Sequence, residues 1–319
     1  MPDLPAALCL ALLLVGLCGL LMNILLLIII LRSPLLSRKG QPVFIHIFSM
    51  VLGKTFQLLI IVFYIAPSIA FQRFPFQETE YGDVVLSIVS YAFYTFWVHS
   101  CCSNTVLAFS RFVIIICADS PLSSVCASRL SVFCQSGAIW CFSAILSLVT
   151  QFVLPCCHVK IDYLHYGYSY EVFDGAFNYS KYYVNLPANI IHTIIFFMFY
   201  ASIVVFLWKH RIPVGSASRR ESELAVQFLF IAAFFSLTWI SFNILPQTSL
   251  GSLPATVMLE CDCAAAAMIY LTMNRDIRRY IRGSQEGLMG CSQQSVSAMR
   301  KSTLQSSYRY RPAARSAEL

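Results

Sequence analysis

Charge is what this sequence has least of. Asp, Glu, Lys and Arg make up 12% of its 319 residues and hydrophobic types 58%, where a water-soluble domain carries about a quarter charged. That scarcity excludes a chain that hides its apolar surface in one core surrounded by water, and points to a bilayer. From Val84 to Ser110 there is no charged residue at all. Alternation of apolar and polar residues with period two is missing, which excludes a membrane barrel of strands. No Gly-rich phosphate loop, G-x-S-x-G elbow or H-E-x-x-H pair occurs, so nothing marks an enzyme. The chain has 13 cysteines without the paired spacing of a zinc site: Cys156-Cys157-His158 and Cys261-Asp262-Cys263 do not supply it, and no metal ligand or cofactor is expected. Scattered mostly through apolar stretches, the cysteines read as small apolar side chains rather than a disulfide framework.

A helix needs roughly 20 residues to cross about 30 Å of hydrocarbon. Seven apolar stretches are long enough: about Ala6–Leu31, Pro42–Phe71, Val84–Cys117, Leu130–Pro155, Tyr182–Trp208, Leu224–Pro246 and Pro254–Met273. In lipid each helix satisfies its own backbone, so the expected fold is all-α, a seven-transmembrane helix bundle. Gln247–Leu253, with Pro246 before and Pro254 after, makes the turn between the last two spans. The first stretch is too long for a signal peptide and its positive charges follow it, so a retained helix is expected.

Eighteen of the 22 lysines and arginines lie on one side of this arrangement. They are Arg32, Arg38, Lys39, Arg111, Arg129, Lys209, Arg211, Arg219, Arg220 and the basic residues from Arg275 onward. Only Arg73, Lys160 and Lys181 lie on the other side, and Lys54 is inside a span. Basic loops stay in the cytoplasm, so the N-terminus is expected outside and the C-terminus inside. The net charge of +7 is therefore mostly juxtamembrane; it implies anionic membrane lipids as partners and no nucleic acid. A sequon, Asn178-Tyr179-Ser180, falls in the outer loop before the fifth span, where a glycan could be added.

Several short motifs are specific. "GLLMNILLL" (Gly19–Leu27) carries Asn23, and "FSRF" (Phe109–Phe112) carries Arg111 at the inner end of the third span. "AIWCF" and "SLTWISF" hold Trp140 and Trp239, and "MIYLTMNRDIRR" holds Tyr270 before a basic stretch. With these motifs the chain resembles the rhodopsin-like G-protein-coupled receptors from about Leu8 to Arg282. "WCFSAILSLVTQFVLPCCHVKIDY" and "RRESELAVQFLF" are similar to nematode serpentine chemoreceptors of class Srx. The resemblance implies a receptor domain over 1–282 ending in a short basic amphipathic eighth helix, and a cytoplasmic tail over 283–319. The tail is Ser/Gln-rich and reads as disordered. Ser302, Thr303 and Ser306 in it would be open to kinases, and Cys291 to palmitoylation.

The implied function is a chemosensory receptor that binds an external small-molecule or peptide ligand and signals to a heterotrimeric G protein by a conformational switch. A multi-pass plasma membrane protein is implied, with a sensory cilium as one address. The alternative is a small-molecule transporter or ligand-gated channel. Transporters usually show internal repeats, which are missing here; a channel of the insect odorant type needs its N-terminus inside. Departures from the receptor pattern are clear. Ser110 replaces the acidic neighbour of Arg111. Ser241 and Ala267 stand where helices six and seven usually have kink prolines. No cysteine stands at the outer end of the third span, so the usual disulfide to the second outer loop cannot form in the family's way, although Cys156 and Cys157 are present.

By the resemblance, Phe93, Tyr94, Trp97, Trp239, Phe242 and Asn243 line an aromatic ligand pocket with Glu260 as its single acid; ordinary core packing is the alternative for these aromatics. Lys54 takes the place of a sodium-binding aspartate and is expected either to pair with Asp262 or to reach a water channel. Arg111, Glu221 and Tyr270 are the expected switch residues. Arg111 bridges to Glu221, with Glu223 as fallback, or else snorkels to headgroups. The charge distribution generates the first prediction. An epitope at the N-terminus is stained on intact cells, and one after Leu319 only after permeabilisation; the reverse pattern removes the receptor topology.

Overall fold

The computed structural model describes residues 3–33, 35–36, 42–117, 119–171, 177–210, 216–244 and 252–283. Among them are nine α-helices named in chain order, α1 to α9, a further helix over 275–283, and one two-stranded sheet. The first span is α1 (Asp3–Arg32), an uninterrupted Leu/Ile-rich helix. The second combines α2 (Val43–Ile60), a π-helical turn (Ile61–Ile65) and α3 (Ala66–Phe71). The third is α4 (Gly82–Ile116), at 35 residues the longest helix. A short helix, α5 (Pro121–Ala127), follows with Ser120 as its N-cap. The fourth span is α6 (Arg129–Leu148) with the π turn Val149–Val153. The fifth is the π turn Ser180–Asn185 with α7 (Leu186–His210). α8 (Ser216–Ile244) and α9 (Leu253–Met273) complete the bundle.

Six of these spans are long and apolar enough to cross a membrane by length and composition. In α8 the apolar run is shorter, Leu229–Asn243 among the described residues. Rows of exposed side chains such as Leu10, Leu14, Leu17, Leu21 and Leu25 on α1 would be intolerable in water and suit lipid.

The three π turns share one cause. Each ends two residues before a proline: Ile65 before Pro67, Val153 before Pro155 and Asn185 before Pro187. A proline lacks the N–H that closes the preceding turn, and its ring meets the carbonyl four residues back. One extra residue in the turn moves that carbonyl aside, which is how π bulges accommodate such a break. Bends therefore fall in spans two, four and five. α8 holds no proline within its described length and stays α-helical throughout.

α4 is the central helix, touching α2, α6, α7, α8 and the first strand. Its apolar contacts are supplemented by a polar seam with spans two and four. Trp140 Nε1 donates to Ser49 Oγ at 3.0 Å, and His99 Nε2 lies 3.2 Å from Ser49 Oγ and 3.3 Å from Ser103 Oγ. The His99 and Trp140 rings stack with centroids 3.9 Å apart. Small polar groups bonded across helices are a recurring means of helix association in lipid. Gly53 makes room for this seam, because a Cβ there would stand 2.6 Å from His99 Nδ1.

The chain divides into two compact units, Met1–Asn274 and Arg275–Leu319. In the second unit a helix over 275–283 sets Arg275, Arg278, Arg279 and Arg282 at the i, i+3, i+4, i+7 spacing of one face. With Gly283 these arginines line a cavity of about 420 Å³.

The seam predicts unequal glycines. Gly53→Ala should destabilise the detergent-solubilised protein by roughly 1–3 kcal/mol through overpacking against His99. Gly137→Ala, where a Cβ meets nothing within 4 Å, should leave the thermal midpoint unchanged. Equal midpoints for the two variants would show that His99 is not packed as described.

Candidate functional site

The segment between spans four and five folds into a hairpin, β1 (Val159–Asp162) against β2 (Gly167–Tyr170), in antiparallel register Val159 to Tyr170. Asp162 organises its turn: Oδ1 accepts from the backbone of Leu164 and His165, and Oδ2 from Ser169 Oγ. Every residue of β2 is buried, so the hairpin enters the bundle instead of lying on it. α9 holds it from one side, where Ser252 N and Oγ donate to the His165 carbonyl and Thr256 Oγ1 donates to that of Tyr166. From the other sides, Ser90 Oγ accepts from Ile161 N and Asn185 Nδ2 donates to the Tyr170 hydroxyl oxygen. Gly167 allows the close approach, since a Cβ there would fall 2.0 Å from Thr256 Oγ1. Burial pushes the phenols of Tyr168 and Tyr170 up, so the hairpin brings neutral rings to the interior.

Those rings meet aromatics from the bundle. Tyr168 lies 5.0 Å from Phe93 and stacks on Phe242 at 4.8 Å; Tyr170 lies 5.4 Å from Phe242. The cavity here is lined by Phe93, Tyr94, Trp97, Asn185 and Phe242, with Val159 and Tyr168 from the hairpin, and its free volume is about 20 Å³. None of these side chains is charged.

Four of the seven expected pocket residues, Phe93, Tyr94, Trp97 and Phe242, come together at this cavity. The other three are placed elsewhere. Trp239 donates its indole N–H to Thr193 Oγ1 at 2.8 Å, and Asn243 donates back to the Trp239 carbonyl. Glu260 is fully buried against α1, its Oε1 3.0 Å from where a Gly16 Cβ would be. Glu260 is not among the residues lining the aromatic cavity: Gly16 leaves a gap beside α9 into which Glu260 turns, while the hairpin takes the volume beside the aromatics. Asn185, Tyr168 and Tyr170 were not foreseen, because their roles depend on how deep a loop inserts.

Two residues on from Glu260, about half a helical turn, Lys54 Nζ donates to Asp262 Oδ2 at 2.8 Å and to the Asp262 carbonyl at 3.0 Å. Both side chains are sealed from solvent, at 0% and 1% exposure. Asn23 Nδ2 donates to the Cys263 carbonyl at 3.3 Å, so α1 joins the same layer. At the opposite end of α4, Arg111 is buried and within electrostatic reach of Tyr200 and Tyr270. The side chains of Glu221 and Glu223 lie outside the described residues. Asn178 of the sequon serves as a helix cap, its Oδ1 accepting from Lys181 N at 2.8 Å. Cys156 and Cys157 are bonded to each other, with Cys157 in the left-handed region at φ 70°.

The buried pair makes a prediction. Lys54→Ala leaves a carboxylate stranded, at a cost of ~3–5 kcal/mol, and should sharply reduce surface expression. Removing Asp262 as well should recover part of that loss. A double-mutant cycle with purely additive losses would show that the two residues do not communicate.

Comparison with known proteins places this geometry. The family described as serpentine type 7TM GPCR chemoreceptor Srx matches residues 13–274. Squid rhodopsin has a similar fold, with a TM-score of 0.73 at 14% identity over 91% of this chain and 88% of that one. Among curated proteins none matches by sequence. A family match over most of the length, on a fold shared with a rhodopsin, leaves one assignment: the chain belongs to the Srx family of serpentine seven-transmembrane G-protein-coupled chemoreceptors.

Proposed function

We propose that this receptor detects a small uncharged external molecule in the aromatic cavity beneath the hairpin and signals by repacking α4 against α8. The observation that carries the reading is the cavity itself: three aromatics of α4 and Phe242 of α8 converge there. A mostly apolar, concave site with few polar anchors suits a small ligand. α4 runs from those aromatics to Arg111 at its inner end, and α8 runs from Phe242 back to Glu221. A ligand that changes how Phe242 sits therefore acts on the same two helices that carry the switch residues. The ligand contributes only its differential affinity for the two packings. The partner at the inner end is a heterotrimeric G protein, and the site of action is the plasma membrane, a sensory cilium included.

In the resting state Arg111 is held by Glu221 and released when α8 swings outward. Holding Arg111 in this way biases the resting packing, enough to shift basal signalling several-fold. The test is a screen of small volatile and water-soluble compounds on expressing cells, read by calcium or cyclic nucleotide. Arg111→Ala should abolish responses with surface expression intact, and Glu221→Ala should raise signalling without ligand. If Glu221→Ala and Glu223→Ala both leave the basal level unchanged, the ionic hold is refuted. Responses that survive Arg111→Ala would refute coupling through this end of α4.

A further inference from the structure

The cavity under the hairpin is occupied. Tyr168 stands between Phe93 and Phe242 at centroid distances of 5.0 and 4.8 Å. With it in place about 20 Å³ remains free, room for roughly one water molecule. No ligand larger than water fits while the ring is there. We propose that Tyr168 is a built-in occupant of the ligand site, and that the ligand is an uncharged planar aromatic of about one ring which takes its place. This rests on the reading of the cavity as the ligand site.

The class follows from what the ring leaves behind. Withdrawing Tyr168 exposes the tilted ring of Phe93 and the face of Phe242, with Trp97 and Tyr94 beside them, and these surfaces favour another aromatic. Asn185 is the one amide in the lining and no lining side chain is charged, so an ion would lose its hydration without a counter-charge. The second tyrosine of the hairpin is not equivalent. Tyr170 is bonded to Asn185 and does not line the cavity. It keeps the strand attached while Tyr168 leaves.

Displacement has an energetic basis. A two-stranded hairpin is marginal by itself, so its position depends on what it inserts and on its few bonds to Ser90, Ser252 and Thr256. A free ring that restores the Phe93 and Phe242 contacts removes the main apolar reason for the hairpin to stay. Gly167 sets the depth of insertion, because any side chain there collides with Thr256. Two independent changes therefore open the site: shortening Tyr168, or lifting the strand by Gly167→Ala.

The probe is p-cresol, the tyrosine side chain as a free molecule, with benzoate as its charged counterpart. The full-length protein in nanodiscs is heated with and without each. Tyr168→Ala should lower the melting temperature, and p-cresol should restore most of the loss while benzoate does not. Tyr168→Phe should behave as the wild type. Both Tyr168→Ala and Gly167→Ala should bind p-cresol at least about tenfold more tightly than the wild type, since no plugged population competes. If Tyr168→Ala does not fold, Gly167→Ala carries the comparison. The proposal is overturned if the folded variants bind p-cresol no better than the wild type, or if benzoate stabilises them equally. A separate arm measures signalling in cells expressing the same variants. Tight p-cresol binding without any signal would overturn the cavity as the signalling site and leave Tyr168 as its occupant.

Discussion

A polar atom in hydrocarbon has no water to turn to, so each helix must satisfy its own peptide groups and each polar side chain must find a partner on a neighbour. Lys54 and Asp262 are the strongest case, an ammonium and a carboxylate sealed together between α2 and α9. Hydroxyls follow the same rule more cheaply. Thr55, Ser143 and Thr150 each donate to the carbonyl four residues back on their own helix, which disposes of the group at the expense of a slight bend. The prolines follow it too. Where one removes a donor, the chain widens into a π turn and keeps the remaining bonds.

That constraint also explains how the ends of the molecule are connected. Polar layers fix the rotation of the helices: the His99 seam fixes α4 against spans two and four, and the Lys54 pair fixes α2 against α9. α4 touches α8 through apolar and aromatic surface, as in the Trp97–Phe235 stack at 5.1 Å. An apolar interface tolerates sliding better than a bonded one, because it has no directional partner to lose. The α4–α8 contact is thus the natural place for two packings to differ, and α8 lacks the proline that would let one half bend independently of the other.

The outer face shows the opposite economy. A loop that could have stayed in water inserts two tyrosines, and its backbone is tied to α9 by serine and threonine. Asp162 locks the turn internally, so the hairpin keeps its own shape. The hairpin can therefore close the cavity without a disulfide to α4, whose outer end has no cysteine to offer.

Much of this was legible along the chain. Hydrophobic length and the placement of basic residues determined seven spans and their expected orientation, because lipid and headgroups act on each segment separately. The resemblance to rhodopsin-like receptors put Lys54 beside Asp262 and grouped Phe93, Tyr94 and Trp97, because motifs such as Asn23, Arg111 and Tyr270 fix the family's register along each span. Three things only the tertiary structure decided. Gly16 opens a gap that turns Glu260 toward α1, away from the aromatics. Gly167 lets β2 approach α9 closely enough to bury Tyr168. Asn185, Ser252 and Thr256 become anchors of a loop distant from them in sequence. Each depends on the depth and rotation at which separate segments meet, and that is set by contacts across the bundle, which no local periodicity encodes.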